Sequence, residues 1–357
     1  MRYYAILTIA LLAIGLTGCS DNITSSFETA GEGVSKAREV PVSPVTVGND
    51  VAPRVLSKSA VTTCTFTTAG STMSLDGDCT TDATLFVPDG MTLDGNGYTI
   101  TAVDPAGGHF VGAVVANGGT TAHVANLTVT ASGLANVCDG GADRLRGIFF
   151  EGASGSIMNN VVTGLNQGPS GCQEGNSIEV RNAPYDGTNP NTVTVEVAHN
   201  VVADFQKTGI LALGDVEVDI SNNTVYASAT QENLAANSIQ VSYGTFGSVE
   251  LNVVEGNQWK GTSDYAATAL LTYLPGTLRV SKNKIAGNSD VGLFILSDNG
   301  TYEKNNVTDE GSDDPNSGYD YGIWDDGSDN VWMKTKASGF EIPFYPDPLN
   351  GTKNKAL

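Results

Sequence analysis

Arg146, Glu151, Glu179, Arg181 and Lys207 stand out in a chain of which only 16% is charged. They fall about one repeat apart, with 30 residues from Glu151 to Arg181. β-Elimination on a uronate needs a base and a cation to neutralise the carboxylate. Arg181 or Lys207 is the candidate base, Glu179 and Glu151 could hold a cation, and Arg146 stands beside them. Hydrolysis needs two carboxyl groups at a set separation. Glu151 and Glu179, one repeat and two residues out of step, would stand roughly 8 Å apart, inside the inverting range. The plain alternative is a ladder of surface ion pairs, worth little to stability. Further along, Tyr273, Phe294 and Trp324 recur at related positions and could stack sugar rings. Between Asp309 and Asp329 the acids crowd; Asp313, Asp314, Asp325 and Asp326 could bind calcium, which takes 6–8 oxygens, although Asp-rich turns give the same composition.

The composition narrows the classes. Eighteen basic residues against 39 acidic ones leave a formal charge of −21, which argues against nucleic acid as a partner. Forty-two glycines among 357 residues and few charges disfavour a helical bundle. There is no Walker loop and no Gly-x-Ser-x-Gly elbow, and His109, His123 and His199 are not spaced as a metal pair. His199, just before an Asn, reads as a turn or surface residue.

The elements that must position these residues follow from two alternating patterns. One is a small residue followed by an aliphatic: Gly147-Ile148, Ser177-Ile178, Gly209-Ile210, Ser238-Ile239, Ala269-Leu270, Gly292-Leu293 and Gly322-Ile323. The other is an apolar residue, two residues, Asn, one residue, aliphatic, with Asn160, Asn200, Asn223, Asn283 and Asn305 at its centre. Short strands repeating at 20–40 residues predict a solenoid, because a single coil cannot bury its own inward side chains. Stacked at ~4.8 Å, equivalent residues form ladders. With the aliphatic inward, alternation sends the first and third residues after it outward. That face is polar at Glu179/Arg181 and apolar at Leu211, Leu271 and Phe294. Such a stripe is covered by loops or by the C-terminal cluster Phe340, Ile342, Phe344 and Tyr345, or it is a sugar groove or a protein-binding surface.

The same register pairs the cysteines. Asn126 to Cys138 and Asn160 to Cys172 are both 12 residues, so those two cysteines stack and Cys64 pairs with Cys79 at the first turns. An even set of four suits an oxidising compartment.

Val87-Pro88-Asp89-Gly90-Met91-Thr92-Leu93-Asp94-Gly95-Asn96-Gly97-Tyr98-Thr99-Ile100 resembles the entry coil of the right-handed parallel β-helix repeat family, which includes pectate-lyase-like folds and periplasmic copper-site maturation proteins. The resemblance covers residues 61–335 and implies an all-β right-handed solenoid of roughly nine coils. It is nearly silent on activity, since that fold hosts lyases, hydrolases and inert spacers. At the N-terminus a short apolar run ends in Leu16-Thr17-Gly18-Cys19, which is similar to the bacterial lipobox. That resemblance implies a signal peptide at 1–18, a lipidated Cys19 with a Ser/Thr/Val/Pro/Gly-rich tether to residue 60, and, with Ser20 next, an outer-membrane or cell-surface address. Residues 336–357 read as a tail packing on the rod. The leading expectation is a non-catalytic envelope lipoprotein presenting a rigid face to polysaccharide or another surface; the rival is a uronate lyase.

Overall fold

The computed structural model describes residues 62–184, 189, 191–228, 232–261, 265–310, 319–346 and 355–356. The segments expected to be a signal peptide (1–18), a lipidated Cys19 and a tether to residue 60 lie outside them. The chain folds as an all-β parallel β-helix. Three long sheets run along it, of twelve, ten and ten strands, and consecutive strands of the chain fall in different sheets. A strand therefore pairs with its counterpart one turn away. The exception is the opening hairpin Phe66–Ala69 with Thr72–Leu75, which is antiparallel and ends the first sheet.

The inward column expected from the repeat is present. In the third sheet Ile148 pairs with Ile178, Ile178 with Ile210, Ile210 with Ile239, and the column runs on through Leu270, Leu293 and Ile323 to Phe344. These aliphatics from Ile148 to Ile323 are at most 1% exposed. Where the small residue is a glycine, the reason is steric. A Cβ on Gly147 would lie 2.4 Å from the Ser177 carbonyl oxygen and 2.6 Å from Val162 Cγ1, across the corner to the second sheet.

The corner between the first and second sheets is held by a buried asparagine ladder. Asn160, Asn200, Asn223, Asn252, Asn283 and Asn305 stack in order, adding Asn252 to the five read from the pattern. Each Asn but the last donates its side-chain N–H to the next Asn Oδ1 and to a backbone carbonyl behind it. Asn223 Nδ2, for example, reaches Asn252 Oδ1 at 3.0 Å and the Val197 oxygen at 2.8 Å. The residue before each ladder Asn sits at positive φ, including His199 at 58°, an exposed turn residue as expected.

The cysteine pairing holds, with Cα–Cα distances of 4.9 Å for Cys64–Cys79 and 5.1 Å for Cys138–Cys172. The register behind it was one residue off. Thr128 pairs with Val161, so the equivalent of Asn160 is Leu127, and Asn126 (φ 54°) matches Asn159 (φ 57°). Lys336–Ser338 and Ile342–Tyr345 carry the second and third sheets past residue 335. Phe340 is buried in the interior core, not laid over the outward stripe.

Candidate functional site

The outward face of the third sheet gathers most of the candidate residues. Its first coils carry a charge network. Arg146 Nε donates to Glu179 Oε2 at 2.6 Å, and Asn176 Nδ2 donates to the same oxygen at 2.8 Å. Arg181 pairs with Glu151 through Nε and with Glu179 Oε1 at 3.5 Å. Both guanidinium carbons stand over the Phe149 ring, at 4.5 and 4.7 Å.

The Arg146–Glu179 half of this network is buried, unlike a surface ladder, whereas Arg181 and Glu151 stay partly exposed. Arg146 is 1% exposed and Glu179 2%. The remaining Arg146 donors reach the carbonyls of Gly141, Ala142 and Arg144 in the strap before its strand. Burial would raise the Glu179 carboxyl, but Arg146 and Arg181 outweigh it and hold it below the ordinary carboxylate range. Arg146 and Glu179 therefore face each other, not solvent. The strap itself is tied down by the Cys138–Cys172 bridge and by Glu174, whose oxygens accept the N–H groups of Asp139 and Leu145.

Beside the network a cleft opens over the middle coils. It is lined by Arg144, Gln173, Asn176, Lys207, Thr208, Leu211, Leu213, Asn237, Gln240, Leu271 and Tyr273. Lys207 is half-buried and donates from Nζ to the Ala235 carbonyl at 2.6 Å. Burial pushes its ammonium down to about 8, and the positive charge of Arg144 adds to the shift. Among the described residues no carboxylate lies within ion-pair distance of Lys207.

Asn176, Thr208, Asn237 and Thr268 form an outward column that strict alternation misses. The register skips the small residue, pairing Arg146 with Asn176 and then Ile148 with Ile178, so the residue two before each aliphatic also faces out. The signal was the polar residue at that place in four successive coils.

The later coils are aromatic. Trp324 has ring centroids of Tyr321, Tyr345, Phe294 and Tyr319 at 4.6, 5.1, 5.3 and 5.7 Å. Phe294, expected to stack on a ligand, is only 1% exposed and belongs to a cluster with Ala266, Leu271 and Val291, against which Tyr319 and Trp324 pack. Cover on the stripe thus includes loop residues Ala266 and Tyr319, and the C-terminal strand adds Tyr345 at its edge. Trp324, Tyr321 and Tyr273 stay half-buried and Tyr345 is exposed.

Asp313 and Asp314 lie outside the described residues. Asp325 accepts three donors: the Gly327 N–H, Asn330 Nδ2 and Trp332 Nε1 at 3.0, 2.9 and 3.0 Å. Among the described residues the His, Cys, Asp and Glu group close enough to share an ion is Cys138, Cys172 and Glu174, and its two sulfurs are bonded to each other.

No family model matches the chain. No curated protein matches it either. Among solved structures it is similar to that of the Dettilon tailspike protein, with a TM-score of 0.47 and 12% identity. The match covers 80% of this chain and 63% of that one, so the chain spans less than two thirds of the tailspike's length.

Proposed function

We propose that the chain is a lipid-anchored envelope protein that binds polysaccharide along the outward face of its third sheet without turning it over. The observation that carries this reading is the cluster of Tyr319, Tyr321 and Tyr345 around Trp324 on a face that continues into a polar cleft. Aromatic faces give sugar rings a broad apolar contact with a polar edge, and a rigid rod keeps such contacts aligned along a polymer. The early charge network supports binding over catalysis. Arg181 and Glu179 are committed to partners, which leaves Lys207 as the candidate base that lines the cleft.

Titration of the full chain with neutral and acidic polysaccharides tests the reading. Trp324→Ala and Tyr345→Ala should each weaken binding about tenfold. Unchanged affinity in both variants would remove the aromatic platform from the account. Unsaturated uronate products in the same mixtures, read by ultraviolet absorbance and lost in Lys207→Met, would turn the reading to a lyase. The anchor rests on Leu16-Thr17-Gly18-Cys19. Intact mass of detergent-extracted protein should give a chain that starts at an acylated Cys19, and an unmodified cleavage product elsewhere would refute it.

A further inference from the structure

The hydrogen bonds of the outward columns divide into two closed sets with a gap between them. On the early side Asn176 Nδ2 is committed to Glu179. On the late side Thr268 Oγ1 donates to Asn237 Oδ1, Asn237 Nδ2 to Gln240 Oε1, and Gln240 Nε2 to Ser242 Oγ. In the gap, Asn176 Oδ1 and Thr208 Oγ1 are buried without a hydrogen-bond partner among the described residues, in residues that are 4% and 1% exposed. The Asn176 amide cannot be turned round to cure this, because Glu179 accepts only and needs the N–H on its side. Buried polar atoms are almost always paired, so two orphans in one cleft mark a missing partner.

The lining says what kind. Lys207 and Arg144 bring two positive charges to a cleft whose other polar members, Gln173, Asn237, Gln240 and Tyr273, are neutral. Leu211 and Leu271 supply an apolar floor. Anionic group, hydroxyls and an apolar ring face are the parts of an acidic sugar.

We infer that this cleft is the subsite for one acidic sugar residue, its anionic group held by Lys207 and Arg144 and its hydroxyls by Asn176 and Thr208. This rests on the polysaccharide-binding reading and names the residue that the polymer must contain. The overall charge of −21 does not oppose it, because acids far from the cleft are screened beyond ~10 Å. Burial, with the positive charge of Arg144 adding to it, lowers the affinity of Lys207 for its proton, and a bound anion would relieve that shift.

The test is calorimetric titration of the full chain with galacturonate, galactose 6-sulfate and galactose. At least one acidic sugar should bind about tenfold or more tighter than galactose, and the tighter of the two tells carboxylate from sulfate. Thr208→Val and Lys207→Met should each weaken that binding about tenfold. Both should melt at or above the wild-type temperature: Val291 already occupies the Thr208 column two coils beyond Asn237, and Met removes a charge that burial disfavours. Trp324→Ala should leave monosaccharide binding intact, so failure of the aromatic platform and failure of the subsite are told apart. Equal binding of acidic and neutral sugars, silence with all three at millimolar concentration, or wild-type affinity in Thr208→Val and Lys207→Met would each overturn the assignment.

Discussion

Asn223→Ala should cost the rod about 3 kcal/mol or more, the sum of several orphaned groups at ~1–3 kcal/mol each. Asn223 Oδ1 accepts both the backbone N–H and the side-chain N–H of Asn200, at 2.9 and 3.0 Å. Its own Nδ2 serves Asn252 Oδ1 and the Val197 carbonyl. Alanine therefore leaves two donors on Asn200 and the oxygen of Val197 buried and unmet. Water cannot repair the loss cheaply, since Asn200, Asn223 and Asn252 are each 1% exposed. Asn223→Asp should fare no better, because a carboxylate there faces two acceptors and has no proton to give. Asn306→Ala, one residue beyond the last ladder Asn and exposed, is the control and should stay within about 0.5 kcal/mol of wild type. Urea denaturation gives the energies. Because a solenoid couples mainly neighbouring coils, hydrogen exchange should rise first around Val197–Asn200. Equal losses for Asn223→Ala and Asn306→Ala would mean that the ladder is ornamental.

That ladder was legible in the sequence because its physics repeats. An inward amide must meet the next one every turn, so Asn recurs with apolar residues at fixed offsets. The fold class, the Ile148–Ile178–Ile210 column and both cysteine pairs followed from the same recurrence. Asn126 breaks the pattern, because it stands one residue before the ladder position. The coil before Asn160 carries Leu127 at the ladder position, its N–H capped by Asn160 Oδ1, and the left-handed turn residue before it happens to be an Asn.

The site was half legible, for two physical reasons. Alternation placed Phe149, Glu179, Arg181 and Trp324 on the outward face, but the kink at Gly147, Ser177 and Gly209 hid Asn176 and Thr208, which two-residue alternation sends inward. Burial was the second loss. A repeat says which way a side chain points and nothing about the loops that settle over it. The strap carrying Gly141, Ala142 and Arg144 closes over Arg146, and Ala266 and Tyr319 pack against the Phe294 cluster. A surface ion pair thereby became a core one, and a stacking residue became filler.

Arg146→Met turns that burial into a measurable effect and should destabilise the protein by about 3–5 kcal/mol at neutral pH, the usual result of stranding one member of a buried pair. Glu179 would keep Asn176 and the longer contact from Arg181, while the carbonyls of Gly141, Ala142 and Arg144 would lose a shared donor. Most of the cost belongs to the abandoned charge. Adding Glu179→Gln to Arg146→Met should recover half or more of the loss, since a neutral amide still meets Asn176 and needs no counter-ion. The pH dependence has a fixed sign. The Glu179 carboxyl is held below its ordinary value of 4.5, so its stabilising contribution is complete above that value and disappears as the pH falls through the lower folded one. Wild type should lose stability across that acid window, and Glu179→Gln should lose less. A double variant as weak as Arg146→Met alone would place the damage in the unbound carbonyls of the strap, and the strap, not the ion pair, would then be what holds the charged end of the cleft together.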